Sequence, residues 1–306
     1  MDSAIVISLC VTAIAAATPI ALAALGEMII ERAGILNLGV EGMMLIAALV
    51  AFSASVTLGN PWLGVGLAAL VGLFVGVLFG FLTITLRCDQ VVTGLALNIL
   101  AAGLTSFLGR PFIGVPPTKV LGSVPIPALS SLPALGRIFF DQSMLTYVAY
   151  LAVPVLTYVL FKTRHGLNVR AVGESPDTAD AAGIPVNGYR IAAVAFGSIF
   201  IGLAGAHIST AVTPTWTDNL VGGRGWIALA LVIVGGWKPV GVFSGALLFG
   251  VIESLSYHAQ ALNFPVSVYA LQALPYAFTV AILALGAVRS RRFGPPAMLS
   301  LPWSRE

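Results

Sequence analysis

The chain is 306 residues long, with 58% of them hydrophobic and only 9% charged, and its mean hydropathy is +0.99. A water-soluble domain carries about 25% charged residues, so the composition excludes a soluble globular fold and points to segments that live in a bilayer. The net charge of +3 matches the basic excess that cytoplasmic loops of membrane proteins carry, and lends no weight to nucleic-acid binding.

About 20 apolar residues cross the hydrocarbon core. Runs near that length occupy residues 3–25, 38–58, 62–86, 91–108, 144–161, 191–212, 240–257 and 265–288. They predict an all-α polytopic membrane protein, a single domain over residues 1–306, with about eight to ten transmembrane helices, some broken or re-entrant. The first run starts from Met1, Asp2 and Ser3 without a basic region, so it is expected to be retained as a membrane helix. Cys10 and Cys88 show no metal spacing and are expected to be small buried hydrophobes.

Between the first two runs lies a polar cluster, Glu27, Glu31, Arg32, Asn37 and Glu41, interleaved with Gly26, Gly34, Gly39 and Gly42. Glycines permit broken or closely packed backbone there. Glu31 and Arg32 are expected to snorkel at the cytoplasmic face. Asn37 and Glu41, four residues apart, are expected to share one helix face, aimed either into a polar interior or at a helix contact. Asn98 lies mid-span in the fourth run.

The connection over residues 111–142 is long and rich in Pro, Gly and Ser, and reads either as an external docking surface or lid or as an ordinary surface link. Residues 162–190 hold Lys162, Arg164, Arg170, Glu174, Asp177, Asp180 and Arg190, so this stretch must lie in water or against a partner. Within it Ser175-Pro176-Asp177-Thr178-Ala179-Asp180-Ala181-Ala182-Gly183 reads as a complete short helix. Ser175 can cap it, Pro176 suits its first position, Asp177 complements its dipole, and Gly183 can take the left-handed exit. Two turns are marginal alone in water, so something must pack on them. That cover is either the chain's own loops or a soluble motor.

His207 lies near the outer end of the sixth run, Glu253 late in the 240–257 run and Gln272 in the last. A lone membrane His or Gln more often makes a helix–helix hydrogen bond than a ligand contact. The apolar stretch over residues 226–236 is short, and is either a compressed crossing or a half-helix dipping into the protein interior, where irregular backbone is allowed only if protein or a polar cavity satisfies it. With the N-terminus outside and every segment crossing, Arg32, Arg87, Lys162, Arg164, Arg170, Arg190, Lys238, Arg289, Arg291, Arg292 and Arg305 fall inside, and Arg110, Lys119, Arg137 and Arg224 outside. This asymmetry is the one that the positive-inside rule expects.

Three blocks carry a family likeness. The stretch Gly166-Leu167-Asn168-Val169-Arg170-Ala171-Val172-Gly173-Glu174, followed by Ala179-Asp180-Ala181-Ala182-Gly183-Ile184, resembles the coupling loop of ABC importer permeases of the ribose, galactoside, nucleoside and branched-chain amino-acid systems. The block over residues 26–44, with Glu31-Arg32-Ala33-Gly34-Ile35-Leu36-Asn37-Leu38-Gly39-Val40-Glu41-Gly42 at its centre, resembles the nucleoside-type branch, as does Gly223-Arg224-Gly225-Trp226-Ile227-Ala228-Leu229-Ala230-Leu231. The resemblance covers nearly the whole chain in order. It implies a type II-like permease of the bacterial inner membrane that forms half of the path for nucleosides or related sugar-bearing solutes. It further implies a second, related permease, a separate ATPase that uses ATP and Mg, and a periplasmic or lipoprotein substrate-binding protein. Residues 175–183 would then touch the ATPase, and Asn37, Glu41, Asn98 and Trp226 are the candidates nearest the path.

The residues agree with that division of labour. A phosphate loop needs a Lys after Gly, and Lys119, Lys162 and Lys238 all lack it. His165, His207 and His258 form no H-E-x-x-H motif, and no G-x-S-x-G occurs, so neither ATPase nor hydrolase chemistry is expected, nor a cofactor bound by this chain. A secondary transporter is the competing class. It would need coupling carboxylates near the midplane, such as Glu41 and Glu253, and would leave the charged loop without a purpose.

Overall fold

A computed structural model describes residues 3–262, 267, 270–271, 273–274, 277–281, 284 and 294–304. Among them, seven helices are long and apolar enough to cross a membrane. These are α1 (Ser3–Arg32), α2 (Val40–Leu58), α3 (Pro61–Gly80, continued by a π turn Phe81–Thr85), α4 (Gln90–Gly109), α6 (Met144–Lys162), α9 (Val186–His207, continued by a π turn Ile208–Val212) and α11 (Pro239–Ala261). The expected span over 265–288, and Gln272 with it, falls mainly outside the described residues. Between the crossings lie β1 (Ser123–Pro125), α5 (Leu135–Phe139), β2 (Asp141–Ser143), α7 (Arg164–Glu174), α8 (Pro176–Ala181) and α10 (Arg224–Val234).

The starts of the crossings follow local chemistry. Asn60 accepts from Trp62 N at the head of α3, which also has Pro61 in its first turn. Asp89 accepts from Val92 N before α4, and Ser143 from Thr146 N before α6. In each case a side chain satisfies an amide that the helix leaves free. Lipid offers no hydrophobic gain for joining helices, so close packing of small residues holds them together. Gly26 on α1 and Gly197 on α9 are pressed together so tightly that a Cβ on Gly26 would stand 2.3 Å from Gly197 O. The core is accordingly centred on α1, α2 and α9, whereas α4 stays largely at the surface with Ile99 76% and Phe107 67% exposed.

Three expectations are corrected. Helix α1 does not stop near Leu25 but continues to Arg32, and Glu31 is 2% exposed, so it does not snorkel. Helix α2 starts at Val40, so Asn37 precedes it and shares no helix face with Glu41. Cys88 is exposed and Cys10 half-buried, neither a buried hydrophobe. The long connection after α4 carries a small ribbon, in which β1 and β2 pair antiparallel with Val124 opposite Gln142.

Candidate functional site

The centre of the site is the short helix α10. Its 11 residues extend about 16 Å, half of the roughly 30 Å hydrocarbon core. Its depth is set by hydrogen bonds at both ends. At the C-terminal end, Trp237 Nε1 donates to Glu31 Oε2 at 2.5 Å, and Arg32 Nε donates to Trp237 O at 2.9 Å. That end therefore sits level with the last turn of α1. At the other end Glu41 Oε1 accepts from Gly223 N and Oε2 from Gly225 N, both at 2.7 Å.

Glu41 lies in the first turn of α2, set back from the end of α1. After α1 the chain turns at Gly34, which has φ +84°, and climbs back, so that Asn37 N donates to Glu27 Oε1 at 3.1 Å. Glu27 is about 7.5 Å back from Arg32 along α1, and Glu41 follows Asn37 by four residues, past the break that ends at Gly39. Helix α10 thus runs from Glu41 to the level of the last turn of α1, and the irregular residues 213–223 lead into it from the end of α9. The stretch is helical but too short to span the hydrocarbon core by itself.

A helix N-terminus in low dielectric exposes unpaired amides and a positive dipole end. The Glu41 carboxylate meets both. Gly225 makes the approach possible, because a Cβ there would lie 2.6 Å from Glu41 Cα. Beside it Arg224 Nη2 donates to Glu253 Oε1 at 2.7 Å, and Tyr257 Oη donates to the same oxygen at 2.7 Å. Arg224 is 17% and Glu253 11% exposed. Arg224 was expected in an external loop; its carboxylate partner on α11 instead holds it at the head of α10.

The other candidate residues sit around this start. Asn98 on α4 accepts from Gly42 N through Oδ1 and donates through Nδ2 to Leu38 O, both at 2.7 Å, pinning the first turn of α2. Asn37 is fully buried and accepts from Gly39 N at 2.9 Å. Trp226 is different: it is 42% exposed in the first turn of a helix whose other faces are mostly covered. The structure therefore gathers Glu41 and Trp226 at one point, with Asn98 and Asn37 at the break between α1 and α2.

Residues 175–183 form the expected element on the same face as Arg32 and Trp237. Helix α8 runs from Pro176 to Ala181, and Gly183 exits at φ +79°. Two details differ from expectation. Ser175 Oγ bonds Thr178 Oγ1 at 2.7 Å and caps no amide. Ala179 is 3% exposed and packs inward with Val172 and Val186, whereas Ala181 and Ala182 face outward. The cover that two turns require comes in part from the chain itself.

Sequence reasoning missed helix α7, although Thr163 is a readable cap that accepts from Gly166 N. It also missed a buried polar chain near the other face, in which His207 Nε2 meets Ser143 Oγ at 2.8 Å, Ser143 meets Thr146 at 3.0 Å, and Thr146 meets Thr18 at 3.0 Å. His207 is thus a helix–helix contact, as a lone membrane histidine more often is.

Known proteins share this chain almost end to end. Residues 9–285 match the family described as Branched-chain amino acid transport system / permease component. A protein of Haloferax volcanii named provisionally as the glucose ABC transporter permease protein TsgC13 is 38% identical, over 95% of each chain. The nucleoside ABC transporter permease protein NupC of Lactococcus lactis is 36% identical over 88% of each, and the guanosine ABC transporter permease protein NupQ of Bacillus subtilis 35% over 97% of each. Each of these two bacteria has a second permease protein that also matches, NupB at 23% and NupP at 27% identity.

Proposed function

The chain belongs to the permease-component family of branched-chain amino acid transport systems, and from that premise we propose that it forms half of the membrane path of an ATP-driven importer for nucleosides or related sugar-bearing solutes. It is a multi-pass ABC transporter permease, and a second, related permease would supply the other half. The observation that carries the reading is similarity along nearly the full length to permeases named for nucleosides, guanosine and glucose. The residues support the same division of labour, since a membrane chain without a phosphate loop needs ATP hydrolysed elsewhere.

Within this reading the path runs along the uncovered side of the half-helix. Trp226 would offer an indole face to a flat base or sugar ring. Glu41, Asn98 and Asn37 hold the half-helix and the start of α2 in place behind it, with their polar atoms engaged by backbone. Helix α8 would meet the ATPase through its outward side, where Ala181 and Ala182 leave a small smooth surface and Asp177 and Asp180 offer charge. The solute would arrive on a binding protein from the opposite face, that of the β ribbon.

The test is reconstitution of the chain with its second permease, its ATPase and its binding protein in proteoliposomes. Uptake of labelled guanosine, uridine or glucose should require ATP and loaded binding protein, and Trp226→Ala should lower it about tenfold without loss of assembly, the scale of one stacking contact of about 1.4 kcal/mol. Uptake by the chain alone on an ion gradient would make it a secondary transporter instead.

A further inference from the structure

We propose that residues 294–304 are a strap that fixes helix α8 in position for the ATPase, with Trp303 as its clasp. The proposal rests on the assignment of α8 as the ATPase contact, and assigns a role to a segment which that assignment does not involve.

The strap is anchored at its start. Pro296 is buried, Met298 N donates to Gly173 O at 3.0 Å, and Ala297 N donates to Glu174 Oε2 at 3.2 Å. Leu299 packs against the main core. This anchor coincides with a three-way backbone contact: a Cβ on Gly34 would meet Met298 O and Gly173 Cα at 3.3 Å, and one on Gly173 would stand 2.2 Å from Arg32 O. The strap thus begins where the end of α1 and the end of α7 touch.

From there it reaches α8. Trp303 Nε1 donates to Asp177 Oδ1 at 2.7 Å, and the indole packs on Val172, Ala179 and Val186, one residue each from α7, α8 and α9. Those three apolar side chains are small for covering a two-turn helix, and a helix of six residues does not persist without tertiary cover. The largest side chain over that cluster is Trp303, which carries both apolar area and a donor matched to the carboxylate in the first turn of α8. One contact sets the position of the helix along its axis and the other holds its inner face.

Two measurements test the strap. In the isolated permease, Trp303→Ala should raise amide hydrogen exchange over residues 172–186 at least tenfold and leave α1 and α2 protected, with Trp303→Phe intermediate because it keeps the packing and loses the donor. Unchanged exchange at α8, or a rise spread over the whole protein, would overturn the proposal. In the complete transporter, Trp303→Ala and a truncation after Gly294 should lower the stimulation of ATP hydrolysis by loaded binding protein at least fivefold while basal hydrolysis stays within about twofold; full stimulation would also overturn it. Ala181→Trp on the outward side of α8 separates the two ideas. If it leaves ATPase association and stimulation intact, the assignment of α8 itself is wrong; if it abolishes them while the Trp303 variants behave as wild type, only the strap is wrong.

Discussion

Glu41 Oε2 accepts the amide of Gly225 at 2.7 Å, and the two residues are so close that no side chain fits at position 225. With Gly223 on the other oxygen, one carboxylate from α2 answers two free amides at the start of α10. The attraction to the dipole end adds to the hydrogen bonds. A glutamate that looks anomalous in an apolar span is therefore part of how the half-helix exists.

Glu41→Gln keeps one acceptor and turns an amide donor toward the second N–H. The expected result is a less stable protein by about 1–3 kcal/mol, read as a lower melting temperature in detergent, with reduced uptake in the reconstituted system. An unchanged melting temperature would mean that the carboxylate is not needed at the cap.

Trp237→Phe leaves the buried Glu31 oxygen without its indole donor, and is expected to cost about 1–3 kcal/mol. The double variant Glu31→Met with Trp237→Phe removes both polar partners and should lose less than Trp237→Phe alone, because an abandoned buried group costs more than an absent pair. Equal or larger loss in the double variant would show that the pair is not the source of the effect.

Orientation is checked by labelling. In a Cys10→Ser, Cys88→Ser background, needed because Cys88 is exposed, a cysteine at the exposed Ser123 of the β ribbon should react in intact spheroplasts. One at the exposed Thr178 of α8 should react only after permeabilisation. The reverse pattern would invert the assignment of the two faces.

Purified alone, the chain should hydrolyse no ATP, since no lysine is placed to cradle a phosphate. Hydrolysis by a preparation free of other proteins, retained across detergents and tracking the chain through chromatography, would remove it from the non-catalytic subunits.

Six of the seven described crossings were legible within about five residues at either end, because an apolar run bounded by charges or by Pro and Gly leaves the backbone one solution in lipid. The seventh, α1, was read too short because Glu27, Glu31 and Arg32 look like the end of a span. Their partners, Asn37 and Trp237, come from elsewhere in the chain, and no local pattern discloses them. The same reason hid the Arg224–Glu253 pair, although two opposite charges in apolar surroundings are a usable signal. The short helix over residues 176–181 was visible from its punctuation, Pro176 before and Gly183 after, but which alanine faced inward depended on Val172 and Val186 of the neighbouring helices. Asn37 and Glu41 were singled out at a glycine-rich break, Asn98 as an amide in mid-span and Trp226 as an indole at a short apolar stretch, which gave their types and not their bonds.

The pairing of α10 with residues 213–223 has a mechanical consequence. A continuous helix behaves as a rod, and a shove at one end arrives at the other. Here the rod ends at Glu41, and beyond it lies irregular chain whose Trp216 and Val221 are packed into the core. Trp237, clamped to Glu31 and Arg32, is the end that would take the load. A load taken there has a helix to follow only as far as Glu41, and past that point it would have to pass through side-chain packing, that of Trp216 and Val221, rather than along a helix axis.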